Sequence, residues 1–65
     1  MSSSQGVLFL RYVNIQLDKE WFEIDDKNDI GKYIGEIENG LPNGQGTETS
    51  VYGGKYVGKW KDGEK

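Results

Sequence analysis

A chain of 65 residues with a net charge of −3, no cysteine and no histidine allows one small domain. Disulfides, the usual zinc sites, catalytic triads and thiol nucleophiles are excluded. No basic stripe is present to neutralise phosphates, so nucleic acid is not an expected partner. A domain of this size buries only about 60% of its unfolded surface, so it needs a very regular sheet or a partner chain in place of covalent staples. Ten glycines stand against one proline, and they interleave with two Trp, four Tyr and two Phe. That mixture suggests tight turns and close backbone approach in a sheet rather than a disordered linker.

In chain order, residues 1–5 are polar and are expected to be disordered. Val7 to Val13 is β-branched and aromatic and predicts a strand. Asn14 to Lys19 connects it to a second strand over Glu20 to Ile24, the pair forming an N-terminal hairpin cap over residues 6–30. A helix over residues 7–24 is the competing reading, but Val7, Val13, Ile15 and Ile24 favour strand and no capping box opens the segment. Asp25 to Asp29 predicts a charged turn.

From Gly31 the character changes. Gly-Lys-Tyr-Ile-Gly-Glu-Ile-Glu-Asn-Gly, Gly31 to Gly40, returns as Gly-Lys-Tyr-Val-Gly-Lys-Trp-Lys-Asp-Gly, Gly54 to Gly63, at an offset of 23 residues. Leu8 to Leu17, one period earlier, does not match, so the repeat begins at Gly31. A fixed period of this length marks a stacked repeat. Alternation over Lys32 to Glu38 puts Tyr33, Gly35 and Ile37 on one face of a strand. Asn39-Gly40 is a turn pair tolerant of positive φ, extended by Leu41 to Gly44. Gly46 to Val51 returns as the second strand, and Tyr52 to Gly54 leads into the next unit. Residues 31–53 thus form a first repeat and residues 54–65 a partial second one.

Tyr33-x-Gly35, Gly40, Gly44-x-Gly46-Thr47 and then Tyr56-x-Gly58-x-Trp60-x-x-Gly63 resemble tandem MORN repeats, the membrane occupation and recognition nexus motif. The resemblance covers Gly31 to Lys65. Ile37 departs from it, standing where the family has Trp or Phe. The second unit stops at Lys65 without its Gly-x-Gly-Thr half, which predicts either a piece of a longer repeat protein or a cap formed by Gly6 to Ile24. The resemblance implies an all-β fold: a truncated, single-layer antiparallel meander of β-hairpins. It also implies a non-catalytic scaffold or partner-binding module, with aromatics packing across the glycines Gly35, Gly40, Gly44, Gly46, Gly58 and Gly63.

Tyr33, Ile37, Tyr56 and Trp60 form an apolar row. Its bland reading is packing against neighbouring hairpins; its functional reading is a shallow groove for a peptide, with tyrosine hydroxyls at the rim. Asp25 to Gly31 approaches a calcium loop, but Lys27 and Ile30 occupy positions that such a loop needs for a ligand and a glycine. No metal and no cofactor is expected, and the fragment is not expected to be an enzyme. The expected partner is a protein or peptide. A second copy could also pair through the C-terminal edge strand, burying Trp60 in the join. The alternative function is a peripheral membrane or phospholipid-binding module, carried by Lys55, Lys59, Lys61 and Lys65; the acidic remainder opposes a membrane partner. Met1 to Leu10 lacks a signal or transmembrane pattern, and a cytoplasmic location is expected.

Overall fold

The computed structural model describes residues 4–65 and is built from strands alone. They are β1 (Ser4–Tyr12), β2 (Lys19–Phe22), β3 (Gly31–Glu38), β4 (Leu41–Ser50) and β5 (Lys55–Trp60). All pair antiparallel in one open sheet of order β2-β1-β3-β4-β5. The repeat therefore forms consecutive hairpins. The N-terminal hairpin departs from a plain meander at one place, because β1 rather than β2 lies against β3. β2, with only four residues, is left at the edge. Of the expected disordered start, residues 1–3 lie outside the described residues, while Ser4 and Gln5 pair with Ile37 and Glu36 as the first residues of β1.

Two-residue turns explain the hairpin geometry. Asn39 and Gly40 have φ of 55° and 77°, and Asp62 and Gly63, one period later, have 52° and 85°. Positive φ at both central positions matches the right-handed twist of the flanking strands. Because this turn closes at Gly40, Leu41 to Gly44 does not extend it, as the sequence had suggested, but opens β4. The extra residues are absorbed in a bulge: the partner of Gly35 is Gly46, whereas that of Ile37 is Pro42. Gly44, at φ 105°, sits in the bulge. There the Glu36 carboxylate accepts the Gln45 N–H at 2.6 Å.

Alternation and register divide the sheet into two faces. One carries Leu8, Leu10, Trp21, Tyr33, Ile37, Glu48, Tyr56 and Trp60. Its core is Leu8, Tyr33 and Trp60, with Trp21, Ile37 and Tyr56 packed against it. The other face carries Val7, Ile34, Thr47 and Val57 in one cross-strand row, exposed by 39% at Val7, 53% at Ile34 and 61% at Val57. Trp21 and Trp60 sit on opposite edge strands, which a flat sheet would hold about 19 Å apart. Their ring centroids are 5.9 Å apart. The sheet thus curls until the Trp side chains of its two edge strands meet over the first face, which is concave.

Candidate partner-binding face

The glycines explain how a single layer buries large rings. Gly6, Gly35, Gly46 and Gly58 are direct cross-strand partners in sequence, forming a row across β1, β3, β4 and β5 on the concave face. Tyr33 lies over this row: a Cβ at Gly46 would collide with its ring and hydroxyl, and one at Gly35 would come within 2.8 Å of the hydroxyl. A Cβ at Gly58 would meet the Tyr56 hydroxyl at 2.8 Å, and one at Gly6 would meet Ile37 Cδ1 at 2.8 Å. The row is a trough that only glycine leaves open.

Both repeat tyrosines use it identically. The Tyr33 hydroxyl donates to the Glu36 carbonyl at 2.6 Å, and the Tyr56 hydroxyl donates to the Lys59 carbonyl at 3.0 Å. Tyr-x-Gly is thus a local device: the ring folds back along its own strand over the second-next glycine, and its polar end is satisfied by the backbone. Tyr33 is fully buried. Burial, and then the neighbouring Glu36, raises its pKa above the ordinary 10.0. A hydroxyl held in this way does not stand at the rim of a groove.

The four residues of the apolar row come together on this face to different depths. Tyr33 and Trp60 are core, Ile37 and Tyr56 are half-buried, and the Trp60 ring packs edge-on against Tyr33 at 5.2 Å and Tyr56 at 5.4 Å. Trp60 is 5% exposed within the single chain, so a join between copies is not needed to bury it. Its Nε1–H is buried without an acceptor among the described residues. The remaining singled-out glycines, Gly40, Gly44 and Gly63, sit at the positive-φ turn and bulge positions.

Sequence reasoning did not single out Trp21, Leu8 or Glu48. Trp21 packs edge-on against Tyr33 at 6.0 Å and against Trp60 at 5.9 Å. Glu48 pairs across both strands with Tyr33 and Tyr56, and its side chain is 13% exposed. The C-terminal residues fold back toward the same face. Lys61 and Glu64 bridge around the Asp62–Gly63 turn, repeating the Glu38–Leu41 pairing. The Gly63 N–H donates to the Pro42 carbonyl. Lys65 Nζ lies 3.0 Å from Glu48 Oε1. A cavity of about 470 Å³ remains there, lined by Leu10, Lys19, Trp21, Glu48, Trp60 and Lys65 among others.

The acidic loop at Asp25 to Gly31 spends two of its three carboxylates, those of Asp26 and Asp29, on the chain itself. Asp29 accepts from the Asp26 N–H and pairs with Arg11 at 2.7 Å, and Asp26 accepts from the Asn28 N–H. Arg11 also donates to the Ile24 carbonyl and stacks on Phe22, tying the loop to the N-terminal hairpin. Among the described residues, no helix is long and apolar enough to cross a membrane.

No curated protein and no solved structure matches the chain. A family model, MORN repeat, matches residues 33–55 and 56–65, just over half of the sequence, in the same phase as the Tyr-x-Gly units. The chain belongs to the MORN repeat family.

Proposed function

We propose that this chain is a non-catalytic protein-interaction or scaffold module that receives a polypeptide strand at β5. MORN repeats are generally non-enzymatic, and they are consistent with a module of protein or membrane interaction. The observation that carries the protein reading is an inequality between equivalent strands. Among the described residues, β3 is paired on both sides, by β1 and β4, whereas its repeat counterpart β5 is paired only by β4. The N–H and C=O groups on its outer edge are a template for another strand. The repeat also specifies the guest: Tyr33 requires glycine at Gly46, the partner of Gly35, so Tyr56 favours glycine opposite Gly58.

A synthetic peptide with the sequence Leu41 to Tyr52 is the direct probe, since β4 already makes this pairing with β3. Amide hydrogen exchange should show slowed exchange along Lys55 to Trp60 on addition of the peptide. It should not do so with a peptide carrying Val at the Gly46 position. Unchanged exchange with both peptides would overturn the strand-acceptor reading. Co-sedimentation with anionic vesicles that is lost when Lys55 and Lys59 become Glu would move the assignment to the membrane alternative, with the exposed Val7–Ile34–Val57 row and its lysines as the contact.

A further inference from the structure

On the concave face the Lys65 ammonium sits in a corner made by two aromatic rings and a carboxylate. Tyr56 and Trp60 meet at 82° and form two walls of a corner. The Lys65 ammonium lies 5.5 Å from the Tyr56 ring centre and 5.7 Å from that of Trp60, within the range in which an aromatic face attracts a cation. Glu48 closes the third side at 3.0 Å. Two π faces and a carboxylate on one point form a site of the kind that selects ammonium groups.

Glu48 is the residue that folding alone does not explain. It projects from the middle of β4 between Tyr33 and Tyr56, onto the face that otherwise carries the aromatic core. A carboxylate this shielded from water carries a desolvation cost unless a cation answers it. Lys65 answers it, but with a side chain that is still 52% exposed. The cavity beside it, lined by Leu10, Leu17 and Trp21 together with Asp18, Lys19 and Glu64, has room for an incoming alkyl stem.

Resting on the partner-binding reading above, we infer that the Glu48–Tyr56–Trp60 corner binds the primary ammonium of a lysine side chain presented by a protein partner, in competition with Lys65. The Nζ–Oε1 separation of 3.0 Å is that of a close ion pair. The methyl shell of a quaternary headgroup would hold its nitrogen farther from the carboxylate and weaken the attraction, so lysine fits better than a choline lipid. The internal lysine then acts as a tethered competitor that a better-placed external lysine displaces.

The test uses the full chain, Lys65→Ala, and n-butylammonium chloride as the side-chain probe. The Trp60 indole Nε1–H resonance reports occupancy. Saturable shifts are expected in Lys65→Ala, several-fold weaker binding in the parent chain, and loss of binding when Glu48→Gln is added. n-Pentanol, of similar length and uncharged, should leave the resonance unshifted. Equal shifts from pentanol, or no saturation in Lys65→Ala, would overturn the site, and tighter binding of tetramethylammonium would overturn the lysine assignment. If the Gln variant fails to fold, added salt should release butylammonium from Lys65→Ala; insensitivity to salt would count against the ion pair. The Leu41 to Tyr52 strand peptide contains no lysine. Its binding therefore tests the module independently, and either result can fail without the other.

Discussion

A methyl group at Gly46 would sit inside the Tyr33 ring, and that ring has nowhere to go, because its hydroxyl is bonded to the Glu36 carbonyl and its other faces meet Trp21 and Trp60. Gly46→Ala should therefore destabilise by about 2 kcal/mol or more, in the range of overpacked cores. Ala is otherwise the better-ordered residue in the unfolded-state comparison. Gly54→Ala is the control: a Cβ there meets nothing closer than 3.9 Å, at Ser50, and the change should be near neutral. Denaturant midpoints of the two variants measure the difference. Tyr33 makes a second prediction. Its pKa is raised by burial and by Glu36, so the folded state holds this proton more tightly than the unfolded state. That contribution is complete below pH about 10 and is lost as pH rises through the higher folded value. Tyr33→Phe should be less stable than the parent at neutral pH, having lost a hydrogen bond, but should show a shallower fall in melting temperature in alkali. Parallel slopes above pH 10 would contradict this coupling. At this scale much was legible: Tyr33, Gly35, Tyr56 and Gly58 follow from the 23-residue period. Gly6 was not, because its place in the glycine row depends on a pairing with β3 that no local pattern announces.

The elements were legible in type and only partly in extent and pairing. Expected strands at 7–13, 20–24 and 32–38 overlie β1, β2 and β3. The return strand expected at 46–51 proved to begin at Leu41. Turn chemistry explains the miss: Asn39-Gly40 closes a hairpin in two residues, and the bulge opposite Glu36 then accommodates Asn43 to Gln45 without ending the strand. The order of the N-terminal hairpin was hidden for a different reason. Local alternation fixes which residues share a face, yet it does not say which strand of a hairpin goes inside. β1 takes the inner place because it has the length to pair along nearly all of β3, with Leu8 opposite Tyr33 and Gly6 opposite Gly35. The four-residue β2 is then outermost, and register puts its Trp21 on the concave side and Phe22 on the other. A Trp-Phe pair in a strand leaves that choice open until the partner is known. With Trp21 over Tyr33 and Trp60, the hairpin adds an aromatic ring to the core formed by the repeat residues.

At the scale of the whole molecule, an open sheet has two edges, and they differ. The β2 edge is short and charged by Lys19 and Glu20, a common way of blunting an edge. The β5 edge presents six residues, and the glycine row ends there at Gly58. Two copies joined antiparallel about a two-fold axis at Gly58 would continue that row, with Gly58 opposite its own equivalent and Tyr56 opposite the other copy's Trp60. Each Tyr56 ring would then lie over glycine, as Tyr33 lies over Gly46. The same register sets Lys59 of each copy opposite Val57 and brings the two Lys59 side chains into diagonal proximity on the convex face. Diagonal neighbours across a pair of strands are about 7–8 Å apart, closer than the Debye length of roughly 10 Å at 0.1 M salt. Self-association through this edge should therefore be weak at low ionic strength and strengthen as salt rises. Lys59→Glu would reverse part of that dependence only if Lys55 lies near enough to pair with it, so Lys59→Gln is the cleaner variant: it should associate more tightly than the parent and with less sensitivity to salt. Sedimentation across a wide concentration range, with melting temperatures recorded at each concentration, measures both effects. A monomer at every concentration and salt, with a melting temperature independent of both, would overturn self-association through the β5 edge and leave the Trp21 hairpin as a sufficient closure of the fold.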